Sequence, residues 1–426
     1  MALAAANRAP LRVLVYPHDL HIGGSQINAI EIAARLNRLG HECILFGRSG
    51  PLVDMATELG LEFIASPDPG RRPSLRVAKV IASLIRDRSI DVVHGYEWPP
   101  ALEAWMATQL ARRAVAVGTV MSMAVAPFIP RTMPLVVGTE QIAAVERDRG
   151  RRLTAVIEPP VDLELNSPTA KVGADEFRAR WGLTDGRLTV TTVTRLAHEL
   201  KLEGLLVAID EIPTMGPPGS ARLVVVGDGP ARETVAARAA AANERAGWDA
   251  VVLTGEIADP RAAYQTADIV LGMGGSALRA LAFGKPLVVQ GEMGFWRILT
   301  QETLEDFLWT GWYGVGASAS SGPGALLGEL TPLFAASALR DELGSFGRNV
   351  VEQRFGLDQA ARRQLAVYRA GAGINPAIDA QTVAAVGAGA QFGKYVIGRK
   401  AAKLAGSRKS DDFNSRPIAA TGLSRV

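Results

Sequence analysis

Short runs of apolar, β-branched residues alternate along this chain with longer segments whose apolar positions recur every three or four residues. This alternation is typical of βαβ units that build a parallel sheet. A first series of predicted strands covers residues 12–16, 43–46, 91–94, 114–118, 135–138 and 154–158, and a second covers 188–193, 222–227, 250–255, 267–272 and 286–291. The pattern therefore predicts an α/β protein with two doubly wound, Rossmann-like domains.

Between the two series, residues 159–177 are rich in proline, acidic and small residues and have no clear period, which favours a connecting segment. The domain organisation that we predict is 1–165 for the first domain, 166–183 for a hinge, 184–350 for the second domain, 351–373 for closing helices and 374–426 for a basic tail.

Composition narrows the function classes. The chain has 426 residues, of which 48% are hydrophobic and 21% charged, so it can bury substantial cores. A net charge of only +3 gives no argument for nucleic acid as a partner. The single cysteine, Cys43, excludes an internal disulfide and fits a reducing compartment. The apolar run before Arg8 is too short for a signal peptide, and no stretch is long enough for a bilayer span, so we expect a cytoplasmic protein.

Three glycine-rich segments follow predicted strands and lead into helical patterns, where doubly wound sheets bind ligands. They contain Gly23 and Gly24, then Gly227 and Gly229, and finally Gly274, Gly275 and Ser276. Glycine lets backbone amides approach phosphate oxygens, and the following helix adds partial positive charge. Because strand-to-helix turns also use glycine for structural reasons, each segment alone supports either interpretation.

Two cations lie beyond the predicted strand 188–193. Arg195 follows the strand at once, and Lys201 lies six positions further on, just before another helical run. A pair of cations at a strand end can hold a diphosphate. The alternative is that both are solvated surface charges, which is the usual environment of a basic residue.

The order and content of these motifs resemble the retaining glycosyltransferases of family 4, which have the two-domain GT-B fold. The resemblance covers about residues 11–370. Its motifs are GGSQ (23–26), VIEPPVDL (156–163), TRLAHELK (194–201), VVVGDGP (224–230), LTGEIADPRAAYQTADIVL (253–271) and ALAFGKPLVV (280–289), in the order that the family has them.

The resemblance implies transfer of a sugar from a nucleoside diphosphate donor, with retention, in a cleft between the domains. Arg195 and Lys201 would hold the diphosphate and stabilise the charge that develops on it as it leaves. The other donor-binding positions would be Gly23, Gly24, Gly227, Gly255, Glu256, Gly274, Gly275, Ser276 and Arg279. The nucleotide sugar is a co-substrate, and we expect no cofactor or metal, since the chain has no Asp-x-Asp pair. The closing helices would cross back to the first domain.

The chain departs from the family pattern at three positions. Leu271 and Arg279 stand where the family has glutamates that contact the transferred sugar and the ribose, and Met121 replaces a histidine. Arg279 places a cation in the first turns of a predicted helix, where positive charge is normally disfavoured. It would meet either an anion of the ligand or an acid such as Glu256 or Glu292, and we weigh the two alternatives equally.

Other polar residues could bind sugar hydroxyls in place of the missing acids. His18, Asp19 and His21 lie beside the first glycine turn, and Glu97 follows His94 at the end of a predicted strand. We place His94 with Arg195 and Lys201 as the catalytic candidates. The alternative for each histidine is a packed, hydrogen-bonded side chain.

Two further segments have alternative interpretations. Residues 294–316 hold Phe295, Trp296, Phe307, Trp309, Trp312 and Tyr313. These rings would stack on a sugar or a base, or cap the second sheet as a hydrophobic cluster. Residues 391–409 carry six cations and no acid. They form either a disordered tail or a segment that lies on the anionic inner face of a membrane, as in enzymes that glycosylate lipid-linked acceptors.

Three functions follow from the sequence. The first is an active glycosyltransferase whose acceptor is a glycan, a lipid-linked sugar or a small molecule. The second is a catalytically impaired relative that binds nucleotide sugars or serves as a partner subunit. The third is a nucleotide-sugar epimerase on the same fold.

Overall fold

The computed structural model describes residues 9–217, 219–373 and 378–404. The chain divides into two compact units. Unit 1 comprises the described residues of 1–160 and 357–418, and unit 2 comprises those of 161–356.

Within the described residues, unit 1 is built on a seven-stranded parallel sheet with the order β3-β2-β1-β4-β5-β6-β7. The strands are β1 (Arg12–Tyr16), β2 (Glu42–Gly47), β3 (Glu62–Ala65), β4 (Val92–Tyr96), β5 (Val115–Val120), β6 (Leu135–Val137) and β7 (Thr154–Val156). The strand order changes direction between β1 and β4, which makes the loops after these two strands the expected ligand-binding edge.

Helices cover both faces of this sheet. They are α1 (Gly24–Arg38), α2 (Leu52–Glu58), α3 (Leu75–Asp87), α4 (Trp98–Ala111), α5 (Glu140–Asp148), α14 (Leu357–Ala372) and α15 (Ile378–Leu404). Side chains alternate between the faces along β1, so that Leu14 and Tyr16 enter one core while Val13 and Val15 enter the other. Burial on both faces explains the nearly continuous apolar strands.

The described part of unit 2 holds a six-stranded sheet with the order β10-β9-β8-β11-β12-β13, in which only β13 is antiparallel to its neighbour. The strands are β8 (Leu188–Val193), β9 (Ala221–Val226), β10 (Val251–Gly255), β11 (Ile269–Gly272), β12 (Leu287–Gln290) and β13 (Trp296–Ile298). The helices are α6 (Ala174–Arg180), α7 (Leu202–Glu211), α8 (Arg232–Ala246), α9 (Arg261–Thr266), α10 (Gly275–Ala282), α11 (Leu304–Thr310), α12 (Gly322–Ala335) and α13 (Ser337–Arg354), with 3₁₀ turns at Ile212–Thr214 and Ala319–Ser321.

The predicted pair of doubly wound α/β domains is confirmed, and each predicted strand is present with its ends shifted by at most two residues. The pattern missed β3 and β13. Both are short edge strands with exposed or half-exposed positions, so they lack the apolar run that marks the buried strands.

The predicted hinge, residues 166–183, lies inside unit 2 and contains helix α6. Phe177 of α6 packs with Val224 and Val226 of β9, and Trp181, the C-cap residue of the helix, packs against the same cluster. The backbone amide of Val161 donates to the carbonyl of Phe355 over 2.8 Å, at the point where the chain leaves unit 2. Pairing and packing therefore make this segment part of the second domain despite its loop-like composition.

The described part of the predicted tail forms the long helix α15, and not a disordered segment. Its Phe392 and Tyr395 pack against the core of unit 1, which supplies the apolar contact that the helix's own weak stripe did not suggest. Residues 405–409 of the basic run lie outside the described residues. Among the helices that are described, none is long and apolar enough to cross a membrane.

A buried ion pair ties the loop after β3 to the core of unit 1. Glu103 of α4 is fully buried and accepts hydrogen bonds from the Tyr16 hydroxyl at 2.8 Å, from Nη2 of Arg72 at 2.6 Å and from the Ser74 amide at 2.7 Å. Burial, together with the neighbouring carboxylate, raises the pKa of Tyr16 well above its ordinary value. The carboxylate is therefore the group that balances the Arg72 charge in this core.

We expect Glu103→Ala to lower the free energy of unfolding by about 3–5 kcal/mol, because it leaves a guanidinium buried without its counter-ion. Urea unfolding measures this loss. Glu62→Ala is the matched control: its pair with Arg88 is half exposed, so the expected change is within about 1 kcal/mol. Equal effects of the two variants would contradict the assignment.

Candidate active site at the strand ends of unit 2

The donor-binding candidates of unit 2 gather at one edge of its sheet. Strands β8, β9, β10 and β11 are parallel, so their carboxyl ends meet at the same edge. Arg195 follows β8, Gly227 follows β9, Glu256 follows β10 and Gly274 follows β11. The fold thus brings together residues that are far apart in sequence.

Two loops at this edge are interlocked by their backbones. The Thr194 amide donates to the Val226 carbonyl at 2.9 Å, and the Leu196 amide donates to the Asp228 carbonyl at 2.9 Å. Gly227 has φ +143°, and a Cβ at this position would lie 1.9 Å from the Thr194 carbonyl oxygen. Gly227 is therefore required for the close approach that holds Arg195 in place.

Lys201 occupies the N-cap position of α7, and its environment is unusual for a lysine. Burial lowers the pKa of its ammonium to about 8. Among the described residues, no carboxylate pairs with this ammonium. The Lys201 carbonyl accepts a 2.9 Å hydrogen bond from Nε2 of Gln290, which is buried at the end of β12. The fold therefore holds a half-buried positive charge that the described part of the chain does not neutralise.

Arg195 lies nearby in the chain with an exposed side chain. Its guanidinium likewise makes no hydrogen bond or ion pair with the described residues. A matched pair of cations without acidic partners is what an anionic ligand requires.

Helix α10 adds a second anion-binding feature. Its N-cap is Gly274, with φ +54°, and no side chain caps the helix. The amides of its first turn, from Gly275 onwards, have no acceptor within the helix, and they lie at the positive end of the helix dipole. The space that a Cβ of Gly274 would occupy is open, as it is at Gly255. Ser276 directs its hydroxyl to the Met273 carbonyl at 3.0 Å, so its side chain stabilises the turn.

The sequence placed Arg279 in the first turns of a helix, and this prediction is wrong. The residue lies in the last turn of the eight-residue helix α10. A cation near a helix C-terminus is favoured by the helix dipole. Glu292, one of the two acids considered for it, accepts a 2.5 Å hydrogen bond from the Tyr313 hydroxyl. The partner of Arg279 stays a prediction, and Glu256 lies on an exposed loop.

In unit 1, Asp19 organises the loop between β1 and α1. Its carboxylate contacts Nδ1 of His18 at 2.9 Å, the His21 amide at 3.2 Å and Nε2 of Gln26 at 3.4 Å. The bond with His18 is the main cause that lowers the pKa of Asp19 to about 2. Asp19 is thus ionised at neutral pH and holds the two histidines in place.

The glycines of that loop differ in their surroundings. Gly23 is the N-cap of α1, and a Cβ there would lie 2.4 Å from the side-chain oxygen of Gln26. Gly24 begins the helix and has open space where a Cβ would be. Their contact with a donor stays a prediction.

His94 is fully buried in unit 1. Its Nδ1 contacts the Tyr368 hydroxyl at 2.8 Å, and its Nε2 contacts the Thr119 hydroxyl at 2.6 Å. Burial lowers the pKa of His94 to about 3, so the ring is neutral at physiological pH. This geometry favours the packed, hydrogen-bonded alternative over proton transfer.

Glu97 faces the segment that follows β5. Its carboxylate accepts hydrogen bonds from the Met121 amide at 2.9 Å and from the Ser122 hydroxyl at 2.8 Å. Glu97 is the N-cap residue of α4 with φ +65°, and its side chain does not cap the helix. Glu97 therefore positions the loop in which Met121 replaces the family histidine.

The aromatic segment is a hydrophobic cap. Phe307, Trp312 and Tyr313 are buried, and the rings of Phe307 and Trp312 stack with centroids 5.7 Å apart. Trp296 is buried in β13. The core alternative is the one that these contacts favour.

Two positioning residues escaped the sequence analysis. Gln290 supports the Lys201 backbone, and the only signal for it is a polar residue at the end of the apolar run 286–291. Glu203 accepts hydrogen bonds from the amides of Met293 at 3.1 Å and Gly294 at 2.7 Å, which holds the loop after β12 against α7. No pattern marks such contacts, since they join distant segments.

The sequence of each unit matches a family model of glycosyltransferases. Residues 22–164 match the family model described as Glycosyltransferase Family 4, and residues 187–308 match the model described as Glycosyl transferases group 1. The two matches fall on the two units in the expected order.

Two curated relatives are similar in sequence. A D-inositol 3-phosphate glycosyltransferase of Xylanimonas cellulosilytica is 25% identical over 86% of this chain and 96% of its own length. An alpha-monoglucosyldiacylglycerol synthase of Streptococcus pneumoniae is 29% identical, but the match spans only 27% of each chain.

Solved structures are similar in fold. A glycosyltransferase of Rickettsia africae superposes with a TM-score of 0.67 and 16% identity, over 85% of this chain and 98% of that one. The Anabaena protein HepE, in complex with UDP and glucose, gives a TM-score of 0.63 and 15% identity, over 84% of this chain and 100% of that one. These likenesses confirm the GT-B fold, and with the family models they support a family 4-like glycosyltransferase.

We expect Gly227→Ala to lower the free energy of unfolding of unit 2 by about 2–4 kcal/mol, because a Cβ there requires both a strained backbone and displacement of the Thr194 carbonyl. Thermal or urea unfolding measures the effect. Gly328→Ala is the control: this glycine lies within α12 with open space around a Cβ, so alanine should leave stability equal or slightly higher. If Gly227→Ala left the free energy of unfolding unchanged, the close contact between residues 194–196 and 226–228 would not require glycine.

The state of Lys201 predicts a second stability effect. Its pKa in the folded chain, about 8, lies below its ordinary value of 10.5, so the folded state binds fewer protons between these values and stability rises as pH increases through that window. Below pH 8 the half-buried charge destabilises the unliganded chain. We therefore expect Lys201→Met to raise the free energy of unfolding by about 1–3 kcal/mol at pH 7 and to remove the rise above pH 8. Urea unfolding at neutral and alkaline pH would show it; a less stable Met variant would contradict an unpaired ammonium.

Proposed function

We propose that this protein transfers a sugar from a nucleoside diphosphate sugar to an acceptor, with retention at the anomeric carbon and without a metal ion. The observation that carries the proposal is the half-buried ammonium of Lys201, which no carboxylate of the described residues neutralises. The guanidinium of Arg195, which follows strand β8, is likewise unpaired among the described residues. The acceptor class remains a glycan, a lipid-linked sugar or a small molecule.

The charge of the site matches the chemistry of such a donor. As the glycosidic bond breaks, its electron pair goes to the leaving diphosphate, whose negative charge grows. Fixed cations therefore stabilise the transition state more than the bound substrate. Because the two cations are already in place and Lys201 is partly shielded from water, little reorganisation is needed at the moment of reaction.

The N-terminus of α10 supplies neutral donors for the same anion. Its first amides point along the helix axis, and the open space at Gly274 leaves room for a phosphate oxygen to approach them. With Arg195 and Lys201 this gives three sources of positive potential at one sheet edge, which is the work that a metal ion performs in other transferases.

The donor nucleotide is proposed from its chemistry and from one neighbour. The Anabaena protein of the same fold is described in complex with UDP and glucose. We therefore take UDP as the first probe, with GDP and ADP beside it, because nothing at the described strand ends selects a base.

The impaired relative is the alternative that a specific observation supports. Leu271, at the first glutamate position of the family, is buried in the hydrophobic core of unit 2 and offers no polar atom to a sugar. Arg279 is not an acid. An impaired relative would bind the nucleotide sugar but would not break the bond between the sugar and the diphosphate. The comparisons do not favour an epimerase.

Titration calorimetry with nucleoside diphosphates tests whether Arg195 and Lys201 bind the diphosphate. We expect Arg195→Ala and Lys201→Ala each to weaken binding about tenfold to a hundredfold, since each removes a charge-assisted hydrogen bond of about 1.5–3 kcal/mol. Arg238→Ala, an exposed arginine of α8 that pairs with Asp210, is the control and should bind as the wild type does.

The same protein then separates the two functions. Slow release of free sugar from a bound nucleotide sugar, with the chelator EDTA present, supports an active transferase that needs no metal. Tight nucleotide binding without any sugar release supports the impaired relative. Absence of nucleotide binding, or equal binding by all three variants, would refute the diphosphate site.

A further inference from the structure

Helix α15 has two unlike sides. On one side, Phe392 and Tyr395 pack against Trp98 and Phe128 of unit 1, with ring centroids 5.0–6.0 Å apart. Through these rings α15 packs against α4 and the apolar core of unit 1 that contains Phe128.

The opposite side presents aliphatic side chains to solvent. Val383, Val386 and Ile397 are 72%, 69% and 70% exposed. Successive helical residues are rotated by about 100°, so these three positions fall within an arc of about 60° that points away from Phe392. Single exposed aliphatic residues are ordinary, but three that line one side of an otherwise anchored helix form a surface stripe.

Cations flank this stripe. Lys394 lies about 20° beyond one edge of this arc and Lys400 about 40° beyond the other, and both are exposed. Helix α15 carries Lys394, Arg399, Lys400 and Lys403 against a single acid, Asp379. The formal charge of this one helix is therefore +3, equal to the net charge of the whole chain.

We propose that this face of α15 binds the surface of an anionic phospholipid membrane. Aliphatic side chains would enter the interface while the lysines meet lipid phosphates, the arrangement that interfacial amphipathic helices use. The aromatic side stays packed on unit 1, so the helix would attach this unit to the lipid surface.

A second copy of the chain fits this face less well. A two-fold interface would place the stripe against itself and would bring the flanking lysines of the two copies together, while α15 carries four lysines and arginines against the single acid Asp379. An anionic lipid surface satisfies both the aliphatic stripe and its charge.

This inference stands apart from the transferase chemistry, because it needs neither nucleotide nor sugar. If the proposed function is also correct, the helix would bring the enzyme to the surface where lipid-linked acceptors lie. A failure of lipid binding would not bear on the proposed diphosphate site. A failure of nucleotide binding would likewise not bear on the lipid-binding face.

Vesicle co-sedimentation of the full chain tests the proposal. The probes are vesicles of phosphatidylglycerol mixed with phosphatidylcholine, and vesicles of phosphatidylcholine alone. We expect binding to the anionic vesicles, weaker binding as salt is raised, and little binding to the neutral ones. The variant Val383→Ser/Val386→Ser/Ile397→Ser should bind at least tenfold more weakly, and Lys394→Ala/Lys400→Ala about fivefold more weakly for each lysine removed.

The matched control is Arg38→Ala/Leu39→Ser, which also removes one exposed cation and one exposed aliphatic residue. Both positions lie at the end of α1, on the opposite face of the unit 1 sheet, so this variant should bind as the wild type does. Circular dichroism of all variants should be unchanged, because the substituted side chains are exposed.

Hydrogen exchange on the wild-type chain gives a test that needs no variant. Anionic vesicles should protect α15 amides more than those of α8, which belongs to unit 2. Equal binding to neutral vesicles, no binding to either kind, or full binding by the stripe variant would overturn the proposal. So would a wild-type dimer without lipid that the stripe variant converts to a monomer, since a second copy would then occupy the face.

Discussion

The candidate site depends on one electrostatic constraint, which is that the sheet edge of unit 2 holds positive charge with no carboxylate of the described residues to balance it. A buried ammonium costs free energy, and a protein normally avoids that cost with an ion pair. Elsewhere the chain does so: Arg72 meets Glu103, and Arg151 meets Glu146. Lys201 departs from this pattern, and we propose that its counter-ion is a ligand.

The backbone around this charge is built to keep it in place. Gln290 holds the carbonyl of Lys201, and the contacts between residues 194–196 and 226–228 leave no room for a side chain at Gly227. Gly274, by contrast, has open space around it and begins a helix without a side-chain cap. The glycines of this edge therefore fall into two groups. Some bring two loops together, and others leave backbone amides accessible to an anion.

The sequence predicted the fold well because hydrophobic periodicity reports burial directly. Buried parallel strands such as β11 are continuous apolar runs, whereas β3 and β13 lie at sheet edges and leave no such signal. The segment 166–183 resembles a linker in composition, yet Phe177 anchors it to β9. Propensity cannot reveal an anchor that depends on a distant strand.

The site was predictable only in part. Motif order located Arg195 and Lys201, but not the absence of an acidic partner, since pairing depends on segments that only the fold brings together. His94 shows the same limit: its position after a strand suggested chemistry, while Tyr368 and Thr119, distant in sequence, occupy both ring nitrogens. Arg279 was misjudged because the length of α10 decides which end of the helix dipole it meets.

The most direct test of the account is the pKa of the Lys201 ammonium, measured by NMR on selectively labelled lysine with and without UDP. A counter-ion that arrives with the ligand must favour the charged form. The account predicts a pKa near 8 in the free chain that rises toward the ordinary lysine value of 10.5 when the nucleotide binds. An ordinary pKa in the free chain, or one that UDP leaves unchanged, would contradict it.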